Sequence, residues 1–184
     1  MCTAVTYQTK DHYFGRILDY EYDFGEVVTI TPRKYPFHFR HLAPMEHHYA
    51  MIGMAVVASE YPLYFDATNE HGLSMAGLNF THSAKYQSPS PQNDNLASFE
   101  LIPWLLGSCQ TVDEAVVKLK NVNITNVAFS RNSPLLHCTG SLLTASAMWS
   151  LSKRKKDCMS MTIHLVSSQM NPHSPTIAQI YAII

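Results

Sequence analysis

The chain has 184 residues, of which 46% are apolar and 15% charged, and its formal net charge is −1 at pH 7. That length suits one domain with a sizeable core, and that balance excludes intrinsic disorder. A near-neutral chain offers no electrostatic footprint for nucleic acid or an anionic membrane, and it has neither a signal-peptide pattern nor an apolar run of spanning length, so a cytoplasmic enzyme or binding domain is expected.

Residues 3–8 (TAVTYQ) and 12–20 (HYFGRILDY) form two strand patterns around the polar TKDH, which predicts a hairpin. EVVTITPR alternates and is stopped by Pro32. The continuous apolar run YAMIGMAVVA, residues 49–58, predicts a strand covered on both faces. DATNEHGLSMAGLNF, residues 66–80, predicts a turn at Asn69–Gly72 and then a strand. The period then changes. LASFELIPWLLGSC predicts a helix with Ser98 near its start and Gly107 at its end. TVDEAVVKLKNV predicts a second, because Thr111 and Glu114 make a capping-box pair ahead of Ala115, Val116, Val117 and Leu119. Short strands followed by paired helices give an α+β class with helices packed on sheets.

The chemistry-bearing residues begin at the second position. Removal of Met1 would leave Cys2 with both a thiol and a free α-amino group. A terminal amine, with a pKa of about 8, can accept the thiol proton, so one residue supplies nucleophile and base. Placement behind the initiator is what this chemistry requires, although a cysteine there can also be incidental. Arg16 and Asp19 lie three apart among aromatics. They read either as a surface pair of small energetic value or as an arginine that lowers a thiol pKa and an aspartate that orients an amine. Asn69 and Gly72 suit a glycine-assisted turn, whereas Asn79 could donate to the oxyanion of an attacked carbonyl. His38, His41, His47 and His48 lack the HExxH pattern and companion cysteines, so a structural or surface role is expected and no metal. The four cysteines show no CxxC spacing, and no disulfide framework follows.

Taken in order, MCT, FGRILDYEYDFGE, ITPRKYPF, YAMIGMA, NEHGLSMAGLNF and ASFELIPWLLGSC resemble the choloylglycine hydrolase family, the bile salt hydrolases and penicillin V acylases of the N-terminal-nucleophile class. The resemblance covers roughly residues 1–130. It implies an αββα sandwich, commonly a homotetramer, that hydrolyses amide bonds of a small-molecule substrate without a cofactor. It carries the nucleophile to Cys2, the neighbouring arginine to Arg16, the amine-orienting aspartate to Asp19 and an oxyanion donor to Asn79. The aromatic stretch of Tyr20, Tyr22 and Phe24 is well placed to contact an apolar acyl group, although the same side chains could simply be core. The reaction implied is cleavage of glycine- or taurine-conjugated bile salts through a Cys2 acyl-thioester. Penicillin V or N-acyl-homoserine lactone acylase activity is the alternative, and an inactive remnant or ligand-binding fragment is a third.

Past about Ser130 the printed sequence leaves the family pattern. Read one base out of frame, with suitable synonymous codons, His137 onward becomes LHWLIADRIRDVV and later VLTNEPTFTYN, the continuation that the family shows. Some letters are independent of codon choice: Met148–Trp149 forces Val, Met161–Thr162 forces Asp and Met170–Asn171 forces Glu. Residues 1–130 are therefore expected to be the N-terminal part of the hydrolase domain, and residues 131–184 a frameshift product. Such a chain would lack a second oxyanion asparagine, a distal arginine and the strands completing the second sheet, which leaves its activity doubtful.

Overall fold

The structure, a computed structural model, describes residues 3–8, 10–18, 23–79, 86–130, 138–144, 147–153 and 159–164. Two strands, β1 (Thr3–Gln8) and β2 (His12–Ile17), form the antiparallel hairpin expected from their pattern. Thr3 faces Ile17 and Ala4 faces Arg16 across it.

The main sheet contains β3 (Val27–Thr31), β4 (Met51–Ala58), β5 (Tyr61–Asn69) and β6 (Ser74–Asn79). It continues through β9 (Cys138–Thr144), β10 (Ala147–Lys153) and β11 (Met159–His164). The spatial order is β11-β10-β9-β6-β5-β4-β3, with every neighbouring pair antiparallel. The sequence past Ser130 carries neither strand nor helix period, yet β9, β10 and β11 extend this sheet from β6. A smaller parallel pair joins β7 (Asp94–Ala97) to β8 (Val122–Thr125).

The register sorts side chains between two faces. Met51, Ala55, Tyr64, Ala67 and Met75 point into the core, where α1 (Leu101–Ser108) lies on β5 and β6. Tyr64 and Ala67 are three apart, so simple alternation would place them on opposite faces. A bulge restores the match: Ala55 pairs with Tyr64 while Met54 pairs with Asp66, leaving Phe65 as the extra residue. Gly53 is required beside it, because a Cβ there would lie 1.9 Å from the Asp66 carbonyl oxygen.

Helix α1 is buried over Leu101–Gly107, and Pro103 sits in its first turn, where a missing N–H leaves no helical bond unmade. Its entry is a 3₁₀ turn, Ser98–Glu100. Ser98 does not cap it. The buried Glu100 carboxylate accepts instead from Ala97 N at 2.8 Å and Arg40 N at 2.7 Å. Helix α2 (Val112–Leu119) starts as expected: Thr111 Oγ1 accepts from Glu114 N. The returning bond differs, since Glu114 Oε2 accepts from Gln110 N, one residue before the cap.

The expectation that residues 49–58 are covered on both faces is not met. Met51 and Ala55 are buried under the helix layer, but Ile52 is 48% exposed on the opposite face. That second face also carries Asp66, and Arg16 of the hairpin reaches it there, so β1–β2 lies across part of this side. Helix layer, main sheet and hairpin are thus successive layers of an αββα sandwich. Among the described residues, no helix is long and apolar enough to cross a membrane.

Candidate active site

Arg16 is the sequence-selected site residue whose side chain the structure defines most fully. Its position on β2 directs it inward between the hairpin and the main sheet. Nη2 donates to the Gly77 carbonyl on β6 at 2.7 Å, and Nε stands 3.6 Å from Asp66 Oδ2 on β5. Only 6% of the Arg16 side chain and 12% of the Asp66 side chain is exposed. An arginine carries five donors in a fixed fork. Here Nε and Nη1 are buried without a hydrogen-bond partner among the described residues. A buried cation with donors to spare is costly unless something anionic or polar meets it.

Asp66 was not singled out by the sequence. Burial raises its carboxyl above the ordinary range, while the Met54 N–H at 3.4 Å and the charge of Arg16 pull it partly back. Its one sequence signal is a charged residue inside an otherwise apolar strand, YFDA. The carboxylate beside Arg16 is thus Asp66, fifty residues along the chain, and the reading of Arg16 as a surface pair member does not hold.

Cys2, Asp19 and Tyr22 lie outside the described residues. The chain enters β1 at Thr3, opposite Ile17 and so one residue from Arg16 on the neighbouring strand. Asn79 ends β6, two residues after Gly77, with Cys138 as its partner across the sheet. Phe24 is 40% exposed, its ring 6.0 Å from that of Phe65. Strand β6 therefore carries Gly77, which anchors Arg16 of the hairpin, two residues from Asn79, with Phe24 against the bulge residue of β5.

Asn69 has a structural task. Its Nδ2 donates to Leu106 O at 2.8 Å and Cys109 O at 2.7 Å, and its Oδ1 accepts from His71 N and Leu73 N, both at 3.0 Å. All of its hydrogen-bonding capacity is spent fastening the β5–β6 turn to the end of α1. Gly72 completes that turn with φ of +81°, a conformation that favours glycine. His48 is buried against Phe37, and both of its ring nitrogens lie within 2.8 Å of carbonyl oxygens, those of Tyr49 and Tyr35. Among the described residues no group of three His, Cys, Asp or Glu gathers as a cation would need. Cys109 is a buried free thiol, pushed up by that burial, and so is poorly suited to nucleophilic work.

Layers of helix and sheet with an inward arginine on the first hairpin define the N-terminal-nucleophile hydrolase fold. The sequence model of the linear amide C–N hydrolases, choloylglycine hydrolase family, matches residues 2–166, and the chain belongs to that family. It is 50% identical over 135 residues to the bile salt hydrolase/transferase of Lactiplantibacillus plantarum, a match covering 73% of this chain and 42% of that protein. It is 44% identical over 134 residues to the conjugated bile acid hydrolase of Lactobacillus gasseri, covering 71% and 42%. The chain thus spans less than half the length of these relatives. Among solved structures, the C2A mutant of the conjugated bile acid hydrolase from Clostridium perfringens superimposes with a TM-score of 0.82 at 27% identity, covering 89% of this chain and 51% of that one. The penicillin V acylase of Agrobacterium tumefaciens shares the fold, with a TM-score of 0.69 at 18% identity over 89% of this chain and 49% of that one.

Proposed function

We propose that this chain carries the nucleophile-bearing part of an amide hydrolase for glycine- or taurine-conjugated bile salts, with Cys2 as the attacking residue. The observation that carries the reading is Arg16, buried and anchored to Gly77, with Nε and Nη1 left without a hydrogen-bond partner among the described residues. A guanidinium so placed favours a thiolate over a thiol. The named relatives support the substrate class, and the solved relative is a mutant at its own second-position cysteine.

In the reaction, Met1 has been removed and the free α-amine of Cys2 takes the thiol proton. The thiolate attacks the amide carbonyl, and Asn79 donates to the oxygen as its negative charge develops. Collapse breaks the C–N bond; the proton held by the α-amine goes to the departing glycine or taurine nitrogen. The steroid acyl group remains on sulfur as a thioester. Water, deprotonated by the same amine, attacks that thioester and releases the bile acid and the thiolate. Asp19 orients the amine, while Tyr22 and Phe24 contact the steroid. The reaction uses no cofactor, the protein acts in the cytoplasm, and the family to which it belongs is commonly homotetrameric. Hydrolysis of glycine- and taurine-conjugated bile salts compared with phenoxyacetyl amides tests the assignment, since a penicillin V acylase would prefer the latter.

A second reading concerns this chain as it stands. Residues 1–130 belong to the hydrolase domain, and from about residue 131 the polypeptide is the product of a shifted frame, leaving its activity impaired. The support is the set of letters that the shifted frame fixes whatever the codons, Val at Met148–Trp149, Asp at Met161–Thr162 and Glu at Met170–Asn171, together with Val28, Ile30 and Ile52 exposed on the sheet face opposite α1.

A further inference from the structure

We propose that Asp66 is a positioning residue for Arg16, and through it sets how readily Cys2 ionises. This rests on the reading of Cys2 as the nucleophile. Arg16 reaches its place on a long flexible stem from a two-stranded hairpin, and it is fixed at two edges of its fork. Gly77 O takes Nη2 from β6, and Asp66 Oδ2 stands beside Nε from β5. Those two contacts determine the plane of the guanidinium and leave Nε, 3.6 Å from Asp66 Oδ2, and Nη1 as buried donors without a hydrogen-bond partner among the described residues. Asp66 is itself fixed from behind, since its Oδ1 accepts from Met54 N at the bulge of β5 against β4. Among the described residues, Arg16 is the one charged group that acts on its carboxyl, on the β2 side; on the β4 side it meets a backbone N–H. Without Asp66 one edge of the guanidinium is unconstrained, and the cation can turn away from the thiolate.

The effect has a sign that separates positioning from simple charge. If Asp66 were only a nearby negative charge, removing it would make the thiolate more stable and lower the Cys2 midpoint. If it positions Arg16, removing it weakens the cation's hold on the thiolate and raises the midpoint. The test is the pH profile of iodoacetamide alkylation at Cys2, resolved by peptide mass spectrometry in the full chain. Buried Cys109 serves in the same digest as a reporter of folding, because it stays slow to react while the core is intact. For Asp66→Ala the expected result is an upward shift of about one pH unit, with Asp66→Glu, which keeps a carboxylate to stand beside Nε, moving the midpoint back toward the unsubstituted one. Should Asp66→Ala expose Cys109, Asp66→Ser, which retains an acceptor for Met54 N but does not reach Arg16, reads the same shift. An unchanged or lowered midpoint in the folded Ala or Ser variant overturns the proposal. Failure of the underlying reading looks different: Cys2 would titrate at the ordinary value of ~8.5, and Arg16→Leu would not move it.

Discussion

Arg16 and Gly77 are joined across two layers of the molecule: a guanidinium on the first hairpin donates at 2.7 Å to a carbonyl on the fourth strand of the main sheet in chain order. Hairpin strands held only by their own ladder are marginal. This bond, together with the approach to Asp66, ties the start of the chain to the sheet that carries Asn79. The same contact therefore serves stability and the candidate chemistry.

Replacing Arg16 by leucine is expected to cost about 3 kcal/mol at pH 7, because Asp66 then remains buried without its cation. The cost should be smaller at pH 5. Burial holds the Asp66 carboxyl above its unfolded value, so the folded state retains the proton more tightly and stability declines as pH rises through that window. Loss of the Arg16 charge removes one of the influences that lower it and moves the window upward. Urea unfolding of both proteins at the two pH values measures this; a variant equally destabilised at both contradicts it.

Asn69→Ala is expected to lower stability by about 3 kcal/mol, since two backbone carbonyls at the end of α1 and two turn N–H groups lose a partner in the interior. Asn69→Asp should be no better, as it turns a negative group toward the Leu106 and Cys109 carbonyls. Thermal or denaturant melts check the ordering. A folded, fully stable Asn69→Ala protein with reduced turnover would instead give Asn69 a chemical role.

On the face opposite α1, Ile30 is 69% exposed and stands directly across from Ile52 in the β3–β4 register. The paired substitutions Ile30→Thr and Ile52→Thr keep strand propensity while removing apolar surface. Stability should change by no more than about 0.5 kcal/mol, while binding of an environment-sensitive dye and self-association both fall. A loss of several kcal/mol would show that these side chains are covered in solution.

The proposed change of frame makes a prediction at the level of codons. Sequencing across codons 125–140 and on to codon 171 should give synonymous choices that, read one base out of frame, spell LHWLIADRIRD and LTNEP. Codons that yield unrelated residues or stops in that frame end the proposal. Restoring the frame with a single-base change is expected to raise bile salt hydrolysis well above that of the present chain.

Much of the layer structure was legible because it follows from local pattern. β1 matches its alternating run, Pro32 stops β3, and Thr111 with Glu114 marks the start of α2. The first half of β5 was not, since Pro62 and the bulge at Phe65 break the alternation that identifies a strand. Strand β4 looked buried on both faces because an apolar run carries no information about what covers it. In the site, FGRILDY alone left Arg16 open between a surface pair and a catalytic neighbour; the resemblance of the ordered motifs selected it, but its partners could not be read. Gly77 and Asp66 lie more than forty residues away, and only the pairing of β4, β5 and β6 brings them to the hairpin. Asn69 was ambiguous for the same reason: its carbonyl acceptors belong to a helix some forty residues on.

In the proposed reaction a second-position cysteine, freed of its methionine, forms the covalent intermediate under the influence of Arg16. Acid quenching of the full chain during incubation with a glycine-conjugated bile salt, followed by peptide mass spectrometry, addresses it directly. The expected product is an N-terminal peptide that begins at Cys2 and carries the mass of the steroid acyl group, absent after Cys2→Ala. A peptide that retains Met1, or bile salt hydrolysis that continues undiminished in Cys2→Ala, would contradict it.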